Sequence, residues 1–236
     1  MIGLRAFWMA LKGLWEEFFP MLVAALAGFV LLIPVVTAPL AFAGHYALAN
    51  DIAEEKSVSW RTWWDGARRY WRPAAIWLGL YVLMILILLA NLRFYARLNV
   101  SWAPLLQGIW VTLFILWVAV NLYVMPLYLL QTDQRLRLSY RNAALLAVSD
   151  PLTTFVLLVL LVLLFVLLSQ VALPLILLLP PFTALVGAIA VRLRLEKEGL
   201  WQPFDSEVRE SEPKPRVGRA PPNQRPVRPR SPDERQ

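Results

Sequence analysis

Cysteine is absent from this chain, and His45 is its only histidine. Without thiols there is no disulfide framework, no thiolate nucleophile and no cysteine-based zinc or iron–sulfur site. One imidazole cannot build a histidine-rich metal centre. Charge is also scarce, at 17% of residues, where soluble domains carry about 25%. Hydrophobic residues make up 59%, above the roughly 45–50% of a soluble domain. That balance excludes an ordinary soluble globule and a wholly disordered chain. No H-E-x-x-H, P-loop, G-x-S-x-G or dinucleotide fingerprint occurs. No catalytic, cofactor or metal residues are therefore expected, and the chain reads as non-enzymatic.

The apolar residues are gathered into four stretches free of Asp, Glu, Lys and Arg: 18–50, 73–92, 98–132 and 151–191. A membrane-spanning helix needs about 20 apolar residues to cross a hydrocarbon core of about 30 Å. The second stretch suits one span. The fourth is twice that length and divides near Ser169–Pro174 into a helical hairpin, with Pro174 suited to a first helical turn and Pro180-Pro181 kinking the second arm. The first stretch is interrupted by Ile33-Pro34-Val35-Val36-Thr37-Ala38-Pro39, where Pro34, Thr37 and Pro39 predict a kink or break. The expected fold is all-α: a polytopic helical membrane protein with about five transmembrane helices, near 20–46, 74–92, 104–130, 152–168 and 175–193. A sixth would arise if the first stretch folded back on itself. Residues 1–19 place Ile2, Leu4, Phe7, Trp8, Leu11, Leu14, Trp15 and Phe18 at helical spacing, which predicts an amphipathic lead helix. The membrane domain then covers 20–198.

Lys and Arg near span ends set orientation. Lys56, Arg61, Arg68, Arg69 and Arg72 precede span two; Arg135, Arg137 and Arg141 precede span four; Arg192, Arg194 and Lys197 follow span five. Only Arg5, Lys12, Arg93 and Arg97 fall on the other side of a five-span topology. The expected placement is the cell membrane, multi-pass, with the N-terminus outside and the C-terminus cytoplasmic.

Two segments on the basic side stand out. In Ser59–Arg72, a helix would gather Trp60, Trp63, Trp64, Ala67 and Trp71 on one face, with Arg61, Asp65, Arg68 and Arg72 on the other. Tryptophan favours the headgroup level and arginine meets lipid phosphates. An interfacial helix over 59–72 follows, as an anchor or as a docking surface for an anionic headgroup or a partner. Its candidate residues are Trp60, Trp63, Trp64, Arg68, Arg69, Trp71 and Arg72. Residues 199–236 hold eight of the 18 prolines and read as a disordered Pro/Arg-rich cytoplasmic tail. The net charge of +7 thus points to the bilayer and anionic lipid headgroups, with no specific nucleic acid.

Acidic residues all lie outside the expected spans, whereas ion-coupled carriers commonly keep an ionisable group within the bundle. His45 is the lone candidate there, as a structural residue or a proton relay. Thr37, Gln107, Thr112, Asn121, Gln170 and Thr183 are the intramembrane polar residues; Asn121 and Thr37 could line a solute path.

The order of these parts resembles the YesL family of bacterial integral membrane proteins. The matching pieces are the Phe7-Trp8 lead, Pro34-Val35-Val36-Thr37-Ala38-Pro39-Leu40-Ala41 against that family's P-x-x-T-x-x-x-A segment, the stretch Trp63–Trp71 before span two, and Arg141–Ala147 with Asp150-Pro151 before span four. Together they cover roughly residues 5–195. The resemblance implies a domain of unknown function often found alongside carbohydrate uptake, hence an accessory to an ABC-type transporter complex. It supplies no catalytic residues. The alternative reading is a small-solute transporter or channel subunit.

Overall fold

The computed structural model describes residues 2–98, 100–171 and 177–200. Among them every regular element is a helix, in the order α1 (Ile2–Glu16), α2 (Phe18–Leu32), α3 (Ala38–Ala53), α4 (Trp60–Ala96), α5 (Ala103–Leu130), α6 (Leu136–Ser149), α7 (Pro151–Val171) and α8 (Leu179–Lys197). Local chemistry explains the boundaries. Proline opens α3, α5 and α8 within their first two positions, where its missing N–H costs no hydrogen bond. The Ser59 N–H donates to Thr62 Oγ1 at 3.2 Å at the start of α4. Asp150 caps α7, accepting the Thr153 N–H at 3.1 Å and its hydroxyl at 2.7 Å.

Three helices, α4, α5 and α7, are long and apolar enough to cross a membrane, and the bent pair α1–α2 makes up to four. Their outer surfaces carry Leu83, Leu86, Leu105, Ile109, Ile115, Val162 and Leu163 in the open. The expected tail lies outside the described residues from 201 onward; of the break expected near Ser169–Pro174, Ser169–Val171 continue α7 and 172–174 lie outside the described residues.

Several expectations are corrected. The first apolar stretch is two helices, α2 and α3, of 15 and 16 residues. They are separated by a turn at 33–37 in which Val35 adopts φ 56° and the Thr37 hydroxyl donates to the Leu31 carbonyl. Gly28 of α2 lies against Ala41 and His45 of α3, so the two arms pack back on each other. Pro34, Thr37 and Pro39 thus mark a reversal, with Val35 and Val36 exposed at its tip. Second, the interfacial helix 59–72 and span two are one unbroken helix of 37 residues, with Pro73 inside it.

Third, the lead helix turns its small residues inward. Gly3, Ala6 and Ala10 are buried, Gly3 meeting Thr153 and Val156 of α7, and Gly13 meeting Ile52 and Leu185. Leu4, Trp8 and Trp15 point outward, while Phe7 meets Phe182 edge-on at 5.5 Å between ring centroids. Arg5, Asp150, Glu196 and Lys197 line a single cavity with Ile2 and Gly3, so the start of α1 lies beside the end of α8.

The core is built by close approach of small residues. A Cβ on Gly66 of α4 would collide with the Cβ of Ala47 on α3, whereas one on Gly79 meets nothing within 4 Å. Gly66→Ala should therefore destabilise by about 1–3 kcal/mol through overpacking, while Gly79→Ala should gain about 1 kcal/mol in helix propensity. Thermal unfolding of both variants in the same detergent checks this. Equal shifts in Tm would show that the α3–α4 contact is not close-packed.

Candidate functional site

The basic end of the bundle is organised by α8. Residues two apart on a helix point about 200° from each other, so Arg192 and Arg194 leave α8 on opposite sides. Both are buried, at 4% and 2% exposure. Arg192 reaches α3: Nη2 donates to Asn50 Oδ1 at 2.7 Å, to the Asn50 carbonyl at 3.2 Å and to Glu54 Oε1 at 2.8 Å. Arg194 reaches the α6–α7 corner. Its Nη1 donates to the Leu146 carbonyl, and Nη2 donates to the Asp150 carbonyl at 2.6 Å and to Thr154 Oγ1 at 3.1 Å. Its guanidinium also lies 5.3 Å from the centroid of the Tyr123 ring, and the Tyr123 hydroxyl is 3.1 Å from Thr154 Oγ1.

Each guanidinium thus satisfies carbonyls at a helix C-terminus, where unpaired acceptors and the negative end of the helix dipole collect. The carboxylates then neutralise them. Arg192 and Glu54 form an ion pair at 2.8 Å, Arg194 and Asp150 one at 3.8 Å, and Lys56 closes on Glu54 at 2.5 Å. Burial alone would raise the Glu54 pKa, but hydrogen bonding and attraction from Lys56 and Arg192 outweigh it and hold the carboxyl below its ordinary value. Asp150 behaves likewise: partial burial pushes up, while hydrogen bonds from Thr153 and the field of Arg194 pull its pKa down. Sequence reading counted these arginines as topology signals and missed their partners. The available signal was an Arg-x-Arg pair closing an apolar run in a chain with Asn50 ending one other run and Glu54 and Asp150 just outside others.

The expected Trp/Arg residues divide into two sets. Trp63 is buried at 1% exposure and donates its indole N–H to His45 Nδ1 at 3.2 Å. With Nδ1 accepting, the imidazole hydrogen sits on Nε2. Gly44 leaves room for this indole, since a Cβ there would lie 2.6 Å from Trp63. Trp63 therefore belongs to the core and is withdrawn from the docking surface. Trp60 and Trp64 stack on it with ring centroids 5.1 and 6.1 Å away, which carries the aromatic order outward.

Trp60, Arg68, Arg69, Trp71 and Arg72 are exposed. Arg68 lies 4.6 Å over the Trp64 ring, Arg69 5.3 Å over Tyr70 and Arg72 5.5 Å over Trp71. Among the described residues none of these three arginines is in an ion pair. A guanidinium within about 6 Å of a ring centroid is attracted by the ring quadrupole and still has N–H donors to offer an acceptor. The arrangement is a row of oriented, uncompensated cations on one helix.

Of the polar residues within the apolar stretches, Asn121 and Thr183 come together at a cavity among α3, α4, α5, α7 and α8. Thr37 is instead at the α2–α3 turn, and the Thr112 hydroxyl bonds the Gly108 carbonyl of its own helix at 2.9 Å.

The described residues define an all-helical, membrane-embedded class of protein. Comparison with protein-family models, curated proteins and solved structures finds no match to this chain.

Because the Glu54 carboxyl is held below its ordinary value, it releases its proton more readily folded than unfolded. Its contribution is complete above the ordinary carboxylate range and is lost as pH falls through the lower folded value. Wild-type stability should be level between pH 6 and 8, about two units above that range, and should decline in acid. Glu54→Gln should cost about 1–3 kcal/mol at neutral pH and flatten part of the acid decline. Melting curves across pH for both proteins check this, and identical acid limbs would remove Glu54 from the account.

Proposed function

We propose that this protein is a non-enzymatic, multipass protein of the cell membrane that uses the exposed Arg68–Arg72 face of α4 to hold a membrane transporter complex or anionic lipid at the cytoplasmic surface. The observation that carries this reading is the row of three arginines stacked on their own helix's aromatic rings without an ion-pair partner. Such a face costs stability through like-charge crowding unless an acidic or phosphate-bearing surface meets it. The resemblance of residues 5–195 to the YesL family, on the pieces quoted above, adds carbohydrate ABC-type uptake as the expected context.

Five membrane-embedded units accompany this reading: the α2–α3 hairpin, α4, α5, α7 and α8. At about 1.5 Å per residue, α2 and α3 reach roughly 22–24 Å, short of a core of about 30 Å. The first unit accordingly enters and returns, with Val35 and Val36 at its apolar tip, and the other four cross. Both ends of the described chain then face the cytoplasm. Arg5 joins the other basic residues on that side, leaving Arg93 and Arg97 opposite. This is a cleaner basic asymmetry than an external N-terminus allows.

The absence of cysteine makes the topology directly measurable. Single Arg5→Cys, Lys197→Cys and Arg97→Cys variants, treated in intact cells with a membrane-impermeant maleimide, should label at Arg97→Cys alone. Labelling of Arg5→Cys would place the N-terminus outside and overturn the arrangement.

For docking, the full chain in mild detergent should recover the membrane subunit of a carbohydrate transporter. The Arg68→Ala/Arg72→Ala double variant should lose most of that recovery with an unchanged Tm, because both side chains are exposed. Equal recovery by the two proteins, or none by the wild type, would sink the docking reading.

A further inference from the structure

The cavity among α3, α4, α5, α7 and α8 has a volume of about 430 Å³, within the roughly 300–1,000 Å³ typical of small-molecule sites. One wall is aromatic. Trp77 stacks on Tyr81 with centroids 5.8 Å apart and an interplanar angle of 10°, and it meets Phe42 and Tyr46 edge-on at 5.9 and 5.5 Å. The facing wall on α7 is aliphatic, with Leu158 and Leu161 leading to Phe165. No charged side chain lines it among the described residues.

Hydrogen-bonding groups converge here without protein partners. Among the described residues the hydroxyls of Tyr46, Tyr81 and Thr183 have no side-chain hydrogen bond, and the Trp77 indole N–H is buried with no acceptor. Thr112, by contrast, satisfies itself on its own helix. Asn121 is held at the edge by Tyr140, whose hydroxyl donates to Asn121 Oδ1 at 3.3 Å, and by its own amide donating to the Trp117 carbonyl at 2.8 Å. A buried polar group without a partner costs about 1–3 kcal/mol; the Trp77 indole N–H is such a group, and with three uncommitted hydroxyl-bearing residues lining the same cavity it marks a place where an occupant supplies the missing bonds.

We infer that this cavity is a binding site for an uncharged, hydroxyl-bearing amphiphile, its apolar body lying on Trp77 and Leu161 and its hydroxyls meeting Tyr46, Tyr81 and Thr183. The absence of lining charge disfavours ions, which would pay desolvation without a counter-charge. The aliphatic and aromatic walls disfavour a fully solvated polar solute. The site is independent of the Arg68–Arg72 face and stands whether or not that face docks a partner.

The test uses the full chain in lipid nanodiscs with a diazirine-bearing octanol as photoprobe. Saturable labelling is expected at Tyr46, Trp77 and Tyr81, and excess octanol should displace it. Octane should compete more weakly, by about three- to tenfold for each hydrogen bond it cannot make. Leu161→Trp should fill the cavity and abolish saturable labelling. Tyr46→Phe/Thr183→Val keeps the shape and should remove the preference for octanol over octane. Labelling that does not saturate and spreads over the outer faces of α4, α5 and α7 would overturn the site. Equal competition by octane would overturn the hydroxyl requirement and reduce the cavity to one filled by any hydrocarbon chain.

Discussion

Two guanidinium groups leave opposite sides of α8, and each closes on the carbonyl end of another helix. Arg192 takes the end of α3 through Asn50 and Glu54, and Arg194 takes the end of α6 and the start of α7 through Leu146, Asp150 and Thr154. Burying a charge costs several kcal/mol unless hydrogen bonds and a counter-charge compensate. Here both sources of compensation come from elements distant in sequence. The cost can be met only when all four helices are in register. That condition fixes the level of α8 against α3 and α6, and with it every surface that α3 and α8 position.

The α3–α4 contact depends on that register. Once Arg192 sets the height of α3, Gly44 and Ala47 face Trp63 and Gly66 of α4 with almost no separation. The His45–Trp63 hydrogen bond then locks the rotation of α4. Trp63 turns inward because α3 offers an imidazole acceptor at a glycine-made gap. The arginines of the same helix, five to nine residues on, form no ion pair among the described residues and lie over aromatic rings. The exposure of the basic row is thus a consequence of core packing, not of a loose segment. A few turns further along α4, Trp77 meets Phe42 and Tyr46 of the same α3, so one helix pair shapes both the basic face and the aromatic cavity.

Much of this was legible in the residues and some was not, for definite reasons. Uncharged runs and prolines marked where helices lie and stop, since hydrocarbon length and the missing proline N–H act locally. The seven-residue break at Ile33–Pro39 was legible as a break. The choice between a kink and a reversal was not, because that depends on Gly28 and Ala41 letting α2 pack against α3. Helical spacing placed Trp63 correctly beside Trp60 and Trp64, but spacing alone cannot say which side of a helix another helix will cover. Arg192 and Arg194 looked like ordinary juxtamembrane cations, because their partners lie about 40 to 140 residues away in the chain and no local pattern announces a long-range ion pair. The lead helix showed the limit most directly. Its large apolar residues drew the eye, but the tight contact with α7 and α8 was made by Gly3, Ala6 and Ala10, which carry almost no hydrophobic signal.

These contacts divide the molecule into two regimes. In α5 the residues from Ala119 to Tyr128 are buried, while Leu105, Ile109, Val111 and Leu113 of the same helix are open. The outer part of α4 and much of α7 beyond Leu157 are similarly open and largely apolar. In water such surfaces would drive aggregation; in hydrocarbon they are the expected boundary, and helices there associate chiefly by packing and hydrogen bonds. The open half therefore answers to lipid and carries no group able to discriminate among partners. Discrimination needs charge, directed hydrogen bonds or shape, and among the described residues the buried ion pairs and the aromatic cavity where the two halves meet supply these most densely.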